Sequence, residues 1–447
     1  MSDVRSEPAI DHGFLRRLTL AASWGEGLDG FDLGIISVVL VSLTPDLGVG
    51  PVMAGLLGAS SLIGIFAGGP IAGYLTDRYG RRIPFIADII AFVVLNALQA
   101  IVSDAWQLLV IRIALGLAIG AEYSIGAALL AEVAPARGRG RRLCGLLVWW
   151  YTGYLAAVVV AYVLIDEVGL SWRWALALGV VPAVATLLTR IGMPESPRWL
   201  MGQGREKEAR AIIDKYLGGD AYFEQEEYDE PRAEQGYRAL LTREHLHRLV
   251  FVCVFWSCQV APYFAIFTFA PTVFKSLNLS NPEIGTLVAN AIAAVGAFVG
   301  MLTIERVGRR TQLIPPFWIM AGALAVVGLW TGAPGAITVA AFAVFSFFNA
   351  VNGNLTAVYP IEIFPTEVRS SAVGIGAATS RLGAAAGTFL LPIGIDHWGI
   401  APCMLIGTGL CVIGGVVSQK MAPETTGKTL RRTSASAPVR TAAPATA

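Results

Sequence analysis

The chain has 447 residues, of which 55% are hydrophobic and only 15% charged, and its mean hydropathy is +0.62. A soluble protein carries about 25% charged residues, so this composition excludes an ordinary soluble domain and indicates an integral membrane protein. The net charge of +1 provides no overall positive field that would favour nucleic acid as a partner.

Twelve apolar blocks follow one another, and blocks of about 20 residues are long enough to cross a hydrocarbon core of about 30 Å. The predicted spans cover residues 18–43, 53–74, 84–103, 105–132, 143–165, 172–192, 248–274, 284–304, 312–331, 334–360, 370–394 and 399–419. The fold class predicted is therefore an all-α membrane protein with twelve transmembrane helices in two six-helix bundles.

The polar segments divide the chain around these bundles. We expect an N-terminal segment (1–17), a first bundle (18–192), an inter-bundle loop (193–247), a second bundle (248–419) and a disordered tail (420–447). The loop contains an amphipathic helix near Glu206–Leu217, followed by an acidic run.

Arginine is unevenly distributed among the connecting loops. The loops on the side of the termini are rich in arginine, whereas the opposite loops at 44–52, 166–171 and 395–398 contain no Lys or Arg. Because positive loops stay in the cytoplasm, the pattern predicts a multi-pass protein of the cell membrane with both termini in the cytoplasm.

Three motifs occur twice at a nearly constant offset. D-R-Y-G-R-R at 77–82 recurs as E-R-V-G-R-R at 305–310, E-x-x-P at 132–135 recurs at 362–365, and P-E-S at 194–196 recurs as P-E-T at 423–425. The offsets of 228, 230 and 229 residues indicate two structurally equivalent halves. Two equivalent halves in a membrane chain commonly meet around a central substrate site, which favours transport.

These motifs resemble those of the major facilitator superfamily, especially its sugar porter branch and the adjoining metabolite–proton symporters. G-x-x-x-D-R-x-G-R-R at 73–82 is a signature of the superfamily, and P-E-S-P-R-W-L at 194–200, E-I-F-P-T-E-V-R at 362–369 and P-E-T-x-G at 423–427 resemble the sugar porter type. The resemblance implies two pseudo-symmetric bundles that work by alternating access.

The repeated motifs place acids beside arginines at the inner ends of the helices. We expect charge clusters that close the inner side of the protein and break when it opens. The predicted gating residues are Asp77, Arg78, Arg81, Arg82, Glu132 and Arg137 in the first half, and Glu305, Arg306, Arg309, Arg310, Glu362 and Arg369 in the second.

Ionisable residues also lie inside the first and fourth spans, where they are costly and usually functional. Counting about 1.5 Å per residue brings Asp32 and Arg112 to nearly the same depth, with Asp29 and Glu122 beneath them. Asp32 also matches the first-helix aspartate of proton-coupled sugar porters, and Arg112 their fourth-helix arginine. The predicted proton-coupling residues are Asp32, Arg112, Asp29 and Glu122, and Glu26 continues the same helical face.

The predicted substrate pocket departs from that of sugar porters. Gln259 and Ala270-Pro271 are kept, but Phe264 stands where those proteins have asparagine. The predicted substrate contacts are Gln259, Asn290, Asn349, Asn352, Asn354, Trp150 and Tyr263. An aromatic-rich pocket with few polar groups suits a compact, partly apolar metabolite. Arg381 either holds a substrate carboxylate or pairs structurally near the inner end of its helix, and the sequence leaves both open.

The sequence therefore predicts a secondary transporter, not an enzyme, for proton-coupled uptake of a small organic metabolite such as an organic or aromatic acid or a sugar-like compound. We expect no cofactor other than the proton as coupling ion, no metal site, no obligate protein partner, and a monomer in the lipid bilayer. The alternatives are proton-driven efflux of a small hydrophobic compound and, more remotely, a nutrient sensor of transporter fold.

Overall fold

The computed structural model describes residues 11–133, 139–219, 242–277, 279, 281–330, 332–364 and 366–426. The predicted acidic run, most of the predicted tail and Arg137 lie outside these ranges, as do the side chains of Asp77, Glu132 and Arg369.

The described part of the chain is helical. The first half contains α1 (His12–Asp46), α2 (Pro51–Tyr79), α3 (Arg82–Leu98), α4 (Ala105–Val133), α5 (Arg139–Tyr162), α6 (Trp172–Ala177) and α7 (Val180–Arg190). The loop contains α8 (Pro197–Gly202) and α9 (Glu206–Tyr216). The second half contains α10 (Arg243–Thr268), α11 (Ala270–Ser276), α12 (Pro282–Val307), α13 (Arg309–Leu329), α14 (Gly335–Ile363), α15 (Thr366–Trp398) and α16 (Ile400–Met421).

Eleven spans in the described residues are long and apolar enough to cross a membrane. The segment predicted as the eleventh span forms α15, whose 33 residues also suffice in length. Large apolar side chains such as Ile101 and Leu329 are 77% and 75% exposed, as expected for a surface that faces lipid. The predicted all-α membrane fold is confirmed, and the short helix expected near Glu206–Leu217 is α9.

The two halves pack in the same pattern. In the first half α1 contacts α5, α2 contacts α4, and α3 contacts α7; in the second half α10 contacts α15, α12 contacts α14, and α13 contacts α16. Between the halves, α2 packs on α15 and α5 packs on α12. The repeated motifs therefore reflect a repeated arrangement of helices, and the interface between the halves lies along α1, α2 and α5 on one side and α10, α12 and α15 on the other.

Small residues allow the closest helix contacts. Gly64 of α2 and Gly116 of α4 face each other so closely that a Cβ on Gly116 would overlap the backbone oxygen of Ser61. Gly73, in the C-terminal part of α2, has open space where a side chain would begin, and so takes no part in such a contact. Close backbone approach of this kind replaces the hydrophobic driving force that lipid does not provide between helices.

Candidate functional site

Three acids of α1 lie inside the first bundle. Glu26, Asp29 and Asp32 are only 7%, 0% and 1% exposed. Their spacing of three residues places them on one broad helical face, as the sequence predicts. Buried ionisable groups at membrane depth are costly, so this face is where a functional site is expected.

Asp32 is contacted from both α3 and α4. Asn96 donates its amide Nδ2 to Asp32 Oδ2 at 3.3 Å, and Arg112 donates Nη2 to the Asp32 backbone carbonyl at 3.0 Å. Asp32 and Arg112 are therefore neighbours as predicted, but among the described residues the guanidinium forms no ion pair with the carboxylate. The reason is geometric: Asn96 occupies Oδ2, and the arginine is turned toward the main chain of α1.

This arrangement leaves polar atoms unpaired in the part of the chain that the structure describes. Asp32 Oδ1 and the Nε and Nη1 atoms of Arg112 are buried without a hydrogen-bond partner. Unpaired buried donors and acceptors are energetically unfavourable, so a small movement that joined the two groups would be favoured. The proton-coupling role of Asp32 and Arg112 stays a prediction.

A second ion cluster lies deeper in the bundle and was not predicted. Arg190, at the end of α7, places Nη2 2.6 Å from Glu122 Oε1 and Nη1 3.3 Å from Asp88 Oδ1. Its Nη1 also donates to the Phe85 carbonyl at 2.8 Å, and the guanidinium lies 3.6 Å from the centre of the Phe85 ring. The contact with Glu122 lacks hydrogen-bond alignment and is an attraction between charges. Glu122, predicted beside Asp29, is therefore tied to Arg190.

Asp29 forms no ion pair among the described residues. Both of its carboxylate oxygens are buried without a hydrogen-bond partner there, and its charged neighbours are mostly acids, including Glu26 and Glu122, while Arg190 interacts with it only at longer range. A buried carboxylate that is ionised without a nearby partner destabilises the fold by several kcal/mol, about as much as removing one partner of a buried ion pair. The position is suited to hold a proton.

Aromatic side chains fill the centre of the interface between the bundles. Trp150 of α5 lies 6.2 Å from Tyr263 and 5.9 Å from Phe264 of α10, measured between ring centroids. Tyr151 lies 5.8 Å from Tyr263, and Trp150 Nε1 donates to the Tyr123 hydroxyl at 2.8 Å. The Tyr263 hydroxyl is buried without a partner among the described residues. Trp150 and Tyr263, both predicted substrate contacts, therefore meet at the point where a central substrate would lie.

Arg381 reaches this aromatic cluster from α15. Its Cζ atom lies 5.1 Å from the centroid of the Tyr123 ring and 5.7 Å from that of Phe264, so it lies between rings of opposite bundles. Glu26 is near enough for the charges to attract, yet no carboxylate of the described residues lies within 4.0 Å. The structural pair near the inner helix end, one of two possibilities left open by the sequence, is not formed within the described chain.

The polar groups of the second bundle divide into two kinds. Gln259 and Asn349 bind each other: Gln259 Nε2 donates to Asn349 Oδ1 at 3.1 Å, and Asn349 Nδ2 donates to the Gln259 carbonyl at 2.9 Å. Next to this pair, a Cβ on Gly353 would lie 3.3 Å from Gln259 Nε2 and 3.4 Å from the Tyr151 hydroxyl. The amide pair therefore borders the aromatic cluster.

The remaining asparagines bind the main chain of helices. Asn352 Nδ2 donates to the Leu313 carbonyl of α13 at 3.1 Å, and Asn354 Nδ2 to the Ala297 carbonyl of α12 at 3.2 Å. Asn290 donates to a carbonyl of its own helix. The three asparagines of α14 thus point toward three different helices. Substrate contact by Asn290, Asn352 and Asn354 stays a prediction.

The repeated P-E-S and P-E-T motifs cap helices, a role that the sequence analysis missed. Glu195 accepts from the backbone N–H of Arg81 at 2.8 Å and of Arg82 at 3.2 Å, where α3 begins. Glu424 accepts in the same way from Arg309 at 3.1 Å and Arg310 at 3.0 Å, where α13 begins. A carboxylate at a helix N-terminus binds its free N–H groups and its positive dipole end. The P-E-S and P-E-T motifs and the two G-R-R turns recur at nearly the same offset, and this agreement in the sequence could have indicated that each acid contacts the turn of its own half.

Partial burial alone would raise the pKa of Glu424. The hydrogen bonds from the side chain and backbone of Thr426, and from the backbones of Arg310 and Arg309, outweigh burial and lower that pKa to about 2. Glu424 therefore stays ionised at any physiological pH.

The predicted gating residues are partly brought together. Arg309 Nη2 lies 2.8 Å from Glu362 Oε1, and Thr425 also donates to that carboxylate. Glu305 and Arg306 are exposed, and Arg78 donates to the Tyr74 hydroxyl at 3.1 Å. Nearby, at the same end of the molecule, α5 packs on α12, with Gly145 beside Met301. The gating role of these residues stays a prediction.

Comparisons with known proteins agree on one family. The family model described as "Sugar (and other) transporter" matches residues 18–436. YaaU of Escherichia coli (strain K12), a protein named for metabolite transport, is 40% identical over 94% of each chain. The inner membrane metabolite transport protein YgcS of the same organism is 35% identical over 89% of this chain and 88% of its own. Among solved structures, the proton:xylose symporter XylE matches with a TM-score of 0.77 at 24% identity, over 94% of this chain and 98% of XylE, a likeness of fold.

Proposed function

Because the chain belongs to the sugar (and other) transporter family, within the major facilitator superfamily, we propose that it takes up a small organic metabolite together with a proton by alternating access. Membership of this family makes it a membrane transporter rather than an enzyme, and transport of this kind needs no cofactor. What we propose beyond family membership is the class of substrate and its coupling to protons.

Asp32 is the proposed proton carrier, and its surroundings are the observation that carries the proposal. Asp32 is buried, has one oxygen without a partner among the described residues, and lies beside an arginine that binds its backbone. When Arg112 turns to the carboxylate, the attraction favours the ionised form; when it turns away, the carboxyl is favoured. A change of conformation that moves α4 relative to α1 would therefore load and unload a proton.

The proposed substrate site is the aromatic cluster between the bundles. Trp150 and Tyr263 provide apolar surface from both bundles, while Gln259 and Asn349 provide amide groups at its border. A substrate that contacts both halves at once is positioned to be exposed first on one side and then on the other. Asp29 would serve as a second acidic position beneath Asp32, and Glu122 would hold Arg190 in place.

The inner ends of the helices would provide the gate. In the second half, the Arg309–Glu362 pair fixes α13 to α14, and the capping acid Glu424 fixes the turn that precedes α13. Charge pairs of this kind are only partly buried, so each contributes little by itself and can break during a transport cycle.

The test is accumulation of labelled substrate by proteoliposomes under an imposed pH difference. The panel would be xylose, glucose, 4-hydroxybenzoate and succinate, with protein-free liposomes subtracted to remove passive entry. Wild-type protein should accumulate one of them when the outside is acidic, and an ionophore that dissipates the pH difference should abolish the accumulation.

Asp32→Asn should lose proton-driven accumulation yet keep exchange of labelled for unlabelled substrate, because exchange needs no net proton movement. The matched control is Asp104→Asn, since Asp104 is an exposed acid that caps α4 and asparagine caps equally well. Undiminished accumulation by Asp32→Asn would contradict the proposal. Accumulation only when the vesicle interior is acidic would instead indicate the alternative, proton-driven efflux.

A further inference from the structure

Arg381 is a charged residue in the middle of a membrane-spanning helix. It lies 11 residues into the predicted span 370–394, or about 16 Å at 1.5 Å per residue. This distance places it near the midplane of a bilayer about 30 Å thick. A cation at this depth is energetically costly, and such residues are usually functional. Arg112 and Arg190, which are more deeply buried than Arg381, each contact the backbone or an acid of the first bundle.

The guanidinium of Arg381 is held by rings rather than by acids. Its Cζ atom lies 5.1 Å from the centroid of the Tyr123 ring and 5.7 Å from that of Phe264. The guanidinium makes no hydrogen bond or ion pair within the described chain. Rings attract the positive charge but leave the N–H groups at the edge of the guanidinium plane unused. A guanidinium carries five such donors in a planar fork that matches a carboxylate. The side chain is therefore positioned while its hydrogen-bonding edge remains available.

The surroundings of this edge define what can bind there. The rings that contact Arg381 continue into an aromatic cluster, since Trp150 and Tyr263 pack on Phe264. The polar groups of this cluster include the Tyr123 hydroxyl and, at its border beside Gly353, the Gln259 amide and the Tyr151 hydroxyl. A sugar would need a partner for each hydroxyl that loses water. A flat aromatic ring with one carboxylate needs one cation and several apolar faces, which is what this cluster offers.

We infer that Arg381 anchors the carboxylate of the transported substrate, and that the substrate class is a flat, aromatic monocarboxylate. This inference rests on the proposed function, since it names the substrate of the same central site. Glu26 lies near enough to Arg381 for the two charges to attract, so it competes with the substrate carboxylate for that attraction.

The competition has a consequence for coupling. Glu26 is 7% exposed, and none of its oxygen atoms lies within 4.0 Å of a described cation. When a substrate carboxylate takes the Arg381 fork, Glu26 is left with less compensation, and its neutral form becomes more favourable. Binding of the anion then brings a proton onto α1.

The test is equilibrium binding to the purified, full-length protein, followed by the tryptophan fluorescence that Trp150 is placed to report. The probes are two matched pairs, benzoate with benzamide and cinnamate with cinnamamide, and xylose as a sugar. Each pair differs in the charged group and keeps the ring. The wild type should bind a carboxylate at least tenfold more tightly than its amide.

In Arg381→Gln the preference for carboxylate over amide should fall to about twofold or less, and Arg381→Lys should keep an intermediate preference because the charge remains without the fork. The control is Lys275→Gln, which removes an exposed cation of α11 and should leave the preference unchanged. Size-exclusion profiles and the binding of the amides would establish that each variant is folded.

An unchanged preference in Arg381→Gln would overturn the inference, as would failure of both acids to bind the wild type or a preference for xylose. These outcomes are separate from those of the proposed function. Binding needs no gradient, so a loss of preference in Arg381→Gln together with intact proton-driven uptake in Asp32→Asn would support the anchor and refute Asp32 as the proton carrier.

Discussion

Glu424→Gln should destabilise the second bundle, because this carboxylate holds the start of α13. Its two oxygens accept from the backbone N–H groups of Arg309 and Arg310, and also from the backbone of Thr426 at 3.0 Å. An amide keeps one acceptor but loses the charge that interacts with the N-terminal end of the helix. The substitution therefore weakens the contact without adding bulk.

The pKa of Glu424 sets the size and the sign of the effect. The fall from the ordinary value of 4.5 to about 2 corresponds to about 3.4 kcal/mol at about 1.36 kcal/mol per pKa step. Because the side chain is only partly buried, solvent screening reduces the expected contribution to about 1–2 kcal/mol. The pKa is lowered in the folded protein, so this contribution is complete above pH 4.5 and is lost as the pH falls toward 2.

The assay is the midpoint of thermal unfolding in detergent at pH 7.5, 6, 5 and 4. A loss of 1 kcal/mol lowers the midpoint by about 2–4 °C in a domain of 150–250 residues, so Glu424→Gln should unfold about 2–8 °C lower at pH 7.5. The difference should be the same at pH 6 and begin to narrow at pH 4. Asp396→Asn, at an exposed acid of α15 that is far from the helix N-terminus, is the control and should unfold like the wild type. Equal midpoints at pH 7.5, or a difference that widens on acidification, would refute the reasoning.

Two further predictions concern packing and competition. Gly116→Leu should reduce the yield of folded protein severalfold and lower its unfolding midpoint by more than 5 °C, because the side chain would push α4 away from α2; Gly73→Leu, at a position with open space, should change both by little. Glu26→Gln should bind benzoate about two- to tenfold more tightly while binding benzamide unchanged, because the anion that competes for Arg381 is gone; weaker benzoate binding would show that Glu26 helps the site rather than competing.

Much of the architecture can be predicted from patterns that are visible in this one sequence. Apolar blocks of sufficient length predict the spans, and the constant offset between motifs predicts the repeated packing of the two halves. The depths of Asp32 and Arg112 follow from the helical rise alone. These features depend on length and spacing, which the sequence states directly.

The direction in which a side chain points could not be predicted in the same way. A helix that is apolar on all sides has no amphipathic pattern from which its orientation can be inferred. Asn349, Asn352 and Asn354 were all predicted to contact substrate, but the helix to which each side chain binds could not be predicted, and they bind three different helices. Arg190 and Asp88 lie inside predicted spans and could have been recognised as ionisable residues at membrane depth, but their pairing with Glu122 depends on helix contacts.

The charges at the centre of the described structure support coupling between an anionic substrate and protons. Five buried acids share this region with three arginines, so two negative charges are in excess if all eight groups are ionised. The acids are Glu26, Asp29, Asp32, Asp88 and Glu122, and the arginines are Arg112, Arg190 and Arg381. A substrate carboxylate would add another negative charge at low dielectric, where repulsion is strong. Neutralising an acid of α1 with a proton removes that repulsion. If Arg381 binds the substrate carboxylate as proposed, these surroundings favour proton uptake with the substrate, and a neutral substrate would gain no comparable benefit from the same acids.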